Sequence, residues 1–224
     1  MGWNLPRTIS RWPGTNEIAK QVPTAVAYRA GRQNIASWGF ECPSPSDMQR
    51  DTTVVENLKL YLTAGKPAER DNFLGLPKYE DQERWLQDFL RALYQYIGEY
   101  IGQELELDKW SSTSVEYIFS VPATWNKQVV EKFRAVVKNA GFGEHEKHLA
   151  RMNMTEIEAV AVYAANGSEH YYRVRGEPLV EGSVIKEGDS LLVCDLGGYT
   201  SVCIYTATLV AQSNRLTALE PLSS

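Results

Sequence analysis

Ser190-Leu-Leu-Val-Cys-Asp-Leu-Gly-Gly-Tyr-Thr200 is the stretch on which the reading of this chain turns. Leu191 to Cys194 form an apolar run of the kind a strand buried on both faces requires. Asp195 ends that run, and Gly197 and Gly198 allow the positive φ of a tight reversal. Ser201 to Val210 then reads as a second strand. Such a turn aims backbone N–H groups at an anion of phosphate size. Asp195, at the strand end, is placed to hold a hydrated metal ion or a water beside it. The plainer reading is an ordinary β-hairpin with a Gly-Gly turn, so the rest of the chain has to decide.

Upstream, residues 167–189 are polar and glycine-bearing and form the best candidate boundary. A helix is predicted to begin at Thr155, where Thr155-Glu-Ile-Glu158 matches a capping box in which the Thr hydroxyl and the Glu158 carboxylate exchange hydrogen bonds with each other's N–H groups. Before it, Val115 to Val121 reads as a strand closed by Pro122. Thr124 is expected to cap the next helix, whose apolar positions are Trp125, Val129, Val130, Phe133, Val136 and Val137, with Gly141 ending it. A longer helix is predicted from Asp81 to about Leu107, with Leu86, Phe89, Leu90, Leu93, Ile97, Tyr100, Ile101 and Leu105 recurring at three- and four-residue steps. That stripe suits packing on a sheet better than a coiled-coil partner. Nearer the start, Val22 to Tyr28 and Ile35 to Phe40 read as two strands joined through Gly31, Val54 to Leu62 as a short helix, and residues 1–20 and 65–78 as loops. Strand followed by helix is the grammar of an α/β fold.

Composition narrows the functional classes. With 224 residues, 43% of them apolar, the chain can bury a sizeable core. A net charge of −5 argues against a nucleic-acid partner, which demands a basic stripe. No apolar stretch is long enough to span a membrane and no secretory leader is evident, so a cytoplasmic location with no membrane partner is expected. The three cysteines, Cys42, Cys194 and Cys203, form neither a disulfide framework nor a zinc motif. Cys194 and Cys203 are expected on neighbouring strands. His145 and His148 sit three residues apart, a spacing that can chelate a metal, but with no third ligand in view a solvated loop is the better reading. Gly65-Lys66-Pro67 lacks the glycine spacing and the Ser/Thr of a P-loop.

Taken in order, Trp12-Pro-Gly14, Val22-Pro-Thr-Ala-Val-Ala-Tyr28, Trp38-Gly39, Val121-Pro-Ala-Thr-Trp125, Ala140-Gly-Phe-Gly143, Thr155-Glu-Ile-Glu-Ala-Val-Ala161 and Val193-Cys-Asp-Leu-Gly-Gly-Tyr-Thr200 resemble the nucleotide-binding domain of the heat-shock-70 chaperone family, in its divergent branch. The resemblance spans roughly residues 9 to 210. It implies an actin-like ATPase (ribonuclease-H-like) fold in which two lobes clamp ATP and magnesium. Residues 1–172 would form lobe I and residues 173–224 the first strands of lobe II. Asp195 then matches the aspartate that orients water and magnesium. Gly197, Gly198, Tyr199 and Thr200 match the hairpin around the β- and γ-phosphates. Glu156 matches a lobe I acid near the attacking water, and Pro122 a hinge-side proline. Lys59 falls only loosely where the family has a catalytic lysine.

The departures point towards lost catalysis. The family's first phosphate hairpin, Asp-x-Gly-Thr, would precede Trp12, and residues 1–11 contain no such sequence. Tyr199 stands where the second hairpin has its third glycine, and Val202 where an acid is expected. The chain stops after about three strands of lobe II, before the helices that cover that sheet and the loop that holds adenosine. The expectation is therefore a truncated or degenerate ATP-binding domain whose exposed sheet is covered by a protein partner. The alternative is a non-catalytic interaction module that retains lobe I. Glu156 also has a purely structural reading, because an acid in the first helical turn gains from the helix dipole.

Overall fold

A computed structural model describes residues 8–63, 82–104, 110–161, 190–195, 203–212 and 215–221. The fold is mixed α/β with small sheets. It divides into two compact units: Met1–Tyr117 with Asn126–Ala150, and Ile118–Trp125 with Arg151–Ser224. The expected boundary at residues 172/173 lies outside the described residues, as does the loop expected at 65–78.

In the first unit, β1 (Ala25–Arg29) is the centre of an antiparallel sheet, flanked by β2 (Ile35–Trp38) and β3 (Thr52–Glu56). Its Ala-Val-Ala-Tyr run is buried without alternation, as a strand covered on both faces must be. The short helix expected over 54–62 is instead strand β3 followed by a 3-10 turn, Leu58–Leu62. Val55, Leu58 and Leu62 are all buried, so the helix-like spacing is real. However, the β-branched run Thr52-Thr-Val-Val55 favours a strand, and Asn57 at φ 57 breaks the chain between the two pieces.

The long helix α1 (Gln82–Glu104) packs on β1, β2, the 3-10 turn and the second helix, as its stripe requires. Trp85, Leu86, Phe89 and Leu90 are buried in its first half. Its Tyr96 ring lies tilted against both Trp12 and Trp38 and its hydroxyl donates to the Arg11 carbonyl. The irregular segment before β1 is thereby tied down. It is closed on itself by Ala19 N–H to Ser10 O at 3.0 Å and Trp12 Nε1–H to Ala19 O at 2.8 Å. Gly14 makes this possible at φ 83, since a Cβ there would sit 2.5 Å from the Glu41 backbone nitrogen.

Strand β4 (Val115–Val121) falls where the sequence predicts it. The cap of α2 (Lys127–Asn139) does not: Asn126, not Thr124, accepts from Val129 N–H at 3.0 Å. Thr124 is used up in a turn closed by Trp125 N–H to Pro122 O, which moves the helix start two residues on. At the other end, Gly141 N–H bonds Lys138 O and Phe142 N–H bonds Val137 O, a Schellman arrangement with Gly141 at φ 112. Phe133, Val136, Val137 and Phe142 bury the inner face.

Strand β5 (His148–Thr155) pairs with β4 and was not anticipated. Its signal is a short alternation in which Arg151 and Asn153 are exposed and Met152 is buried. Residues 156–161 are helical, and strands β6 (Ser190–Asp195), β7 (Cys203–Gln212) and β8 (Arg215–Pro221) form an antiparallel sheet in that order. Cys194 and Cys203 lie on neighbouring strands, as expected, at register positions on opposite faces of the sheet. Among the described residues, no helix is long and apolar enough to cross a membrane.

Candidate functional site

Strands β6 and β7, on either side of the Gly-Gly stretch, pair antiparallel. Ser190 pairs with Thr208, and the register runs unbroken to Asp195, which pairs with Cys203. Asp195 is therefore the terminal residue of β6. Gly197, Gly198, Tyr199 and Thr200 lie outside the described residues.

The second predicted element is built as expected. Thr155 N–H donates to Glu158 Oε2 at 2.6 Å, and Thr155 Oγ1–H donates to the same oxygen at 2.9 Å. Glu158 N–H returns a bond to Thr155 Oγ1 at 3.2 Å. Glu158 is thus consumed by the cap, while Glu156, two residues before it, is the first helical residue and half-buried. Ile157 and Ala161 anchor the inner side of this turn. Pro122, Glu156 and Asp195 belong to the second unit and Lys59 to the first, where it is exposed on the 3-10 turn. Among the described residues, no group of three or more His, Cys, Asp or Glu side chains is gathered as a metal centre would need.

Two polar constellations in the first unit escaped the sequence reading. Asp88 is 8% exposed on the buried side of α1. Its Oδ2 accepts from the Tyr28 hydroxyl at 3.0 Å and lies 3.6 Å from Arg84 Nε, and its Oδ1 accepts from Arg91 Nη1 at 3.0 Å. Arg84 also donates to the Gln33 carbonyl and Arg91 to the Asn139 carbonyl. One carboxylate thus ties α1 to β1, to the β1–β2 connection and to the end of α2. The signal was available: an aspartate among Trp85, Leu86, Phe89 and Leu90, with arginines four residues before and three after.

The other constellation corrects the expected solvated loop at one residue: Glu144, Glu146 and Lys147 are exposed as expected, but His148 is not. His148 is 5% exposed and opens β5. Its Nε2 lies 3.1 Å from the Trp110 carbonyl, which can only accept, so that nitrogen carries the proton. Its Nδ1 lies 3.4 Å from the hydroxyls of both Tyr94 and Tyr117. Burial, and then the neighbouring Tyr94, push the Tyr117 hydroxyl well above its ordinary pKa. Phe142, Trp110 and His145 close the box with edge-on rings. Both nitrogens of His148 are engaged, so the His145/His148 pair is a packing device. Cys42, half-buried, is also raised, first by burial, with the Ser37 hydrogen bond opposing and Glu56 and Glu41 adding.

Compared with protein-family models, curated protein sequences and solved structures, the chain matches none.

Proposed function

We propose that this chain is a divergent heat-shock-70-like nucleotide-binding domain of actin-like architecture, with ATP and magnesium as its ancestral ligands and hydrolysis lost or strongly impaired. The observation that carries the reading is Asp195, the last residue of β6 and the partner of Cys203 in an antiparallel hairpin. A strand-end carboxylate beside a glycine-bearing connection is the arrangement a phosphate-bound metal uses. The capping box gives second support, because it fixes Glu156 at the start of a helix while leaving the cap to Glu158. Phosphoryl transfer asks mainly for positioning and charge neutralisation, so few side chains suffice. A bound divalent metal supplies that neutralisation. Asp195 would hold it or its water, residues 197–200 would offer backbone donors, and Glu156 would orient a water. The domain is proposed to act in the cytoplasm, in chaperone-like coupling, with a protein partner covering the β6–β7–β8 sheet.

A second reading is a non-catalytic interaction module. It is favoured by the first unit, which holds a buried core and the Asp88 network among its own residues. A thermal-shift titration with Mg-ATP, run beside Asp195→Ala, separates the two. A ligand at a hundredfold excess over Kd adds about 2.7 kcal/mol to the folded state, which is roughly 5–10 °C for a chain of this size. A shift abolished by Asp195→Ala is the expected result. A cooperative melt that Mg-ATP leaves unmoved overturns the nucleotide reading in favour of the interaction module.

A further inference from the structure

We draw no further inference here: the strongest candidate, the apolar face on which the register of the β6–β7–β8 sheet sets Leu191, Val193, Tyr205, Leu209 and Leu219, carries none because nothing in the structure shows what covers it.

Discussion

The α1–α2 region and the β6–β7–β8 sheet bring together residues at very different distances in sequence. Around α1, apolar burial is combined with a buried carboxylate that meets a strand directly and, through Arg84 and Arg91, a loop and a helix terminus. Residues distant in sequence are held together by directional bonds, which specify one packing and not merely a collapsed one. The β6–β7–β8 sheet is described by its ladder: β7 packs against β6 on one side and β8 on the other. Strand pairing between near neighbours orders a backbone, but it leaves stability to whatever covers the faces. The described core around α1 and the candidate chemistry thus fall in different units, since Asp195 belongs to the sheet.

Amide hydrogen exchange tests that contrast most directly. The amides of Phe133, Val136 and Val137 are expected to exchange only through global opening of their unit, and those of Leu192 and Val193 at least roughly tenfold faster, through local opening. Leu86→Ala should erase the contrast or reverse it. Leu86 is 2% exposed, and its truncation is expected to cost about 3 kcal/mol, lowering protection in α1 and α2 while β6 and β7 keep theirs. Equal protection of helix and hairpin in a wild-type monomer would break the comparison.

Asp88→Ala is next in size. It removes the carboxylate that the Tyr28 hydroxyl and two arginines share, while the bonds of Arg84 and Arg91 to backbone carbonyls stay. A fully buried pair broken on one side costs about 3–5 kcal/mol, but the Arg84 and Arg91 side chains are 40% and 44% exposed and can turn to water. The expected loss is roughly 2–3 kcal/mol in denaturant unfolding. A loss below about 0.5 kcal/mol, the range of ordinary surface substitutions, would mean that the network decorates the core without organising it.

How much of this was legible in the sequence depended on whether a signal was local. The limits of β4, the buried start of the α1 stripe at Leu86, Phe89 and Leu90, and the reciprocal cap at Thr155 and Glu158 rest on neighbouring residues and are found as read. Leu105 and the expected helix end near Leu107 lie outside the described residues. The errors arise where two local signals compete. At 52–62, helix-like spacing coexists with a β-branched run, and Asn57 resolves it as strand then turn. At 122–127, Thr124 and Asn126 are both good caps, and the turn from Pro122 selects the second. Long-range contacts were not legible at all: nothing near His148 announces Trp110, Tyr94 or Tyr117. Within the candidate site, the end of β6 and the start of the helix at 156 were legible for the same local reason.

Thr155→Ala probes the second unit on a smaller scale. It removes the hydroxyl that both donates to Glu158 and accepts from it, and a lost N-cap costs about 1 kcal/mol. Thr155→Ser keeps the hydroxyl and should lose much less. The pair tests the cap while keeping Glu156 in the sequence. Equal effects of Ala and Ser would show that the methyl group, and not the hydrogen bonds, matters at this position.

The smallest expected effect concerns Tyr117 and appears only in alkali. Burial raises its hydroxyl pKa, so the folded protein keeps a proton that the unfolded chain releases. The stabilisation is therefore fully present below the ordinary value of 10.0 and drains away as the pH climbs above it. Tyr96, also raised chiefly by burial, adds to the same limb, and Cys42 begins its contribution from 9.0. Melting curves of the wild type should be insensitive to Tyr117 at neutral pH and fall above pH 10, with Tyr117→Phe falling less steeply. Because Tyr117 lies in the first unit, the change should follow the exchange of α2 amides and leave those of β6 and β7 alone. Identical alkaline slopes for the two proteins would show that Tyr117 reaches water more freely than its place against Tyr94 and Phe142 implies.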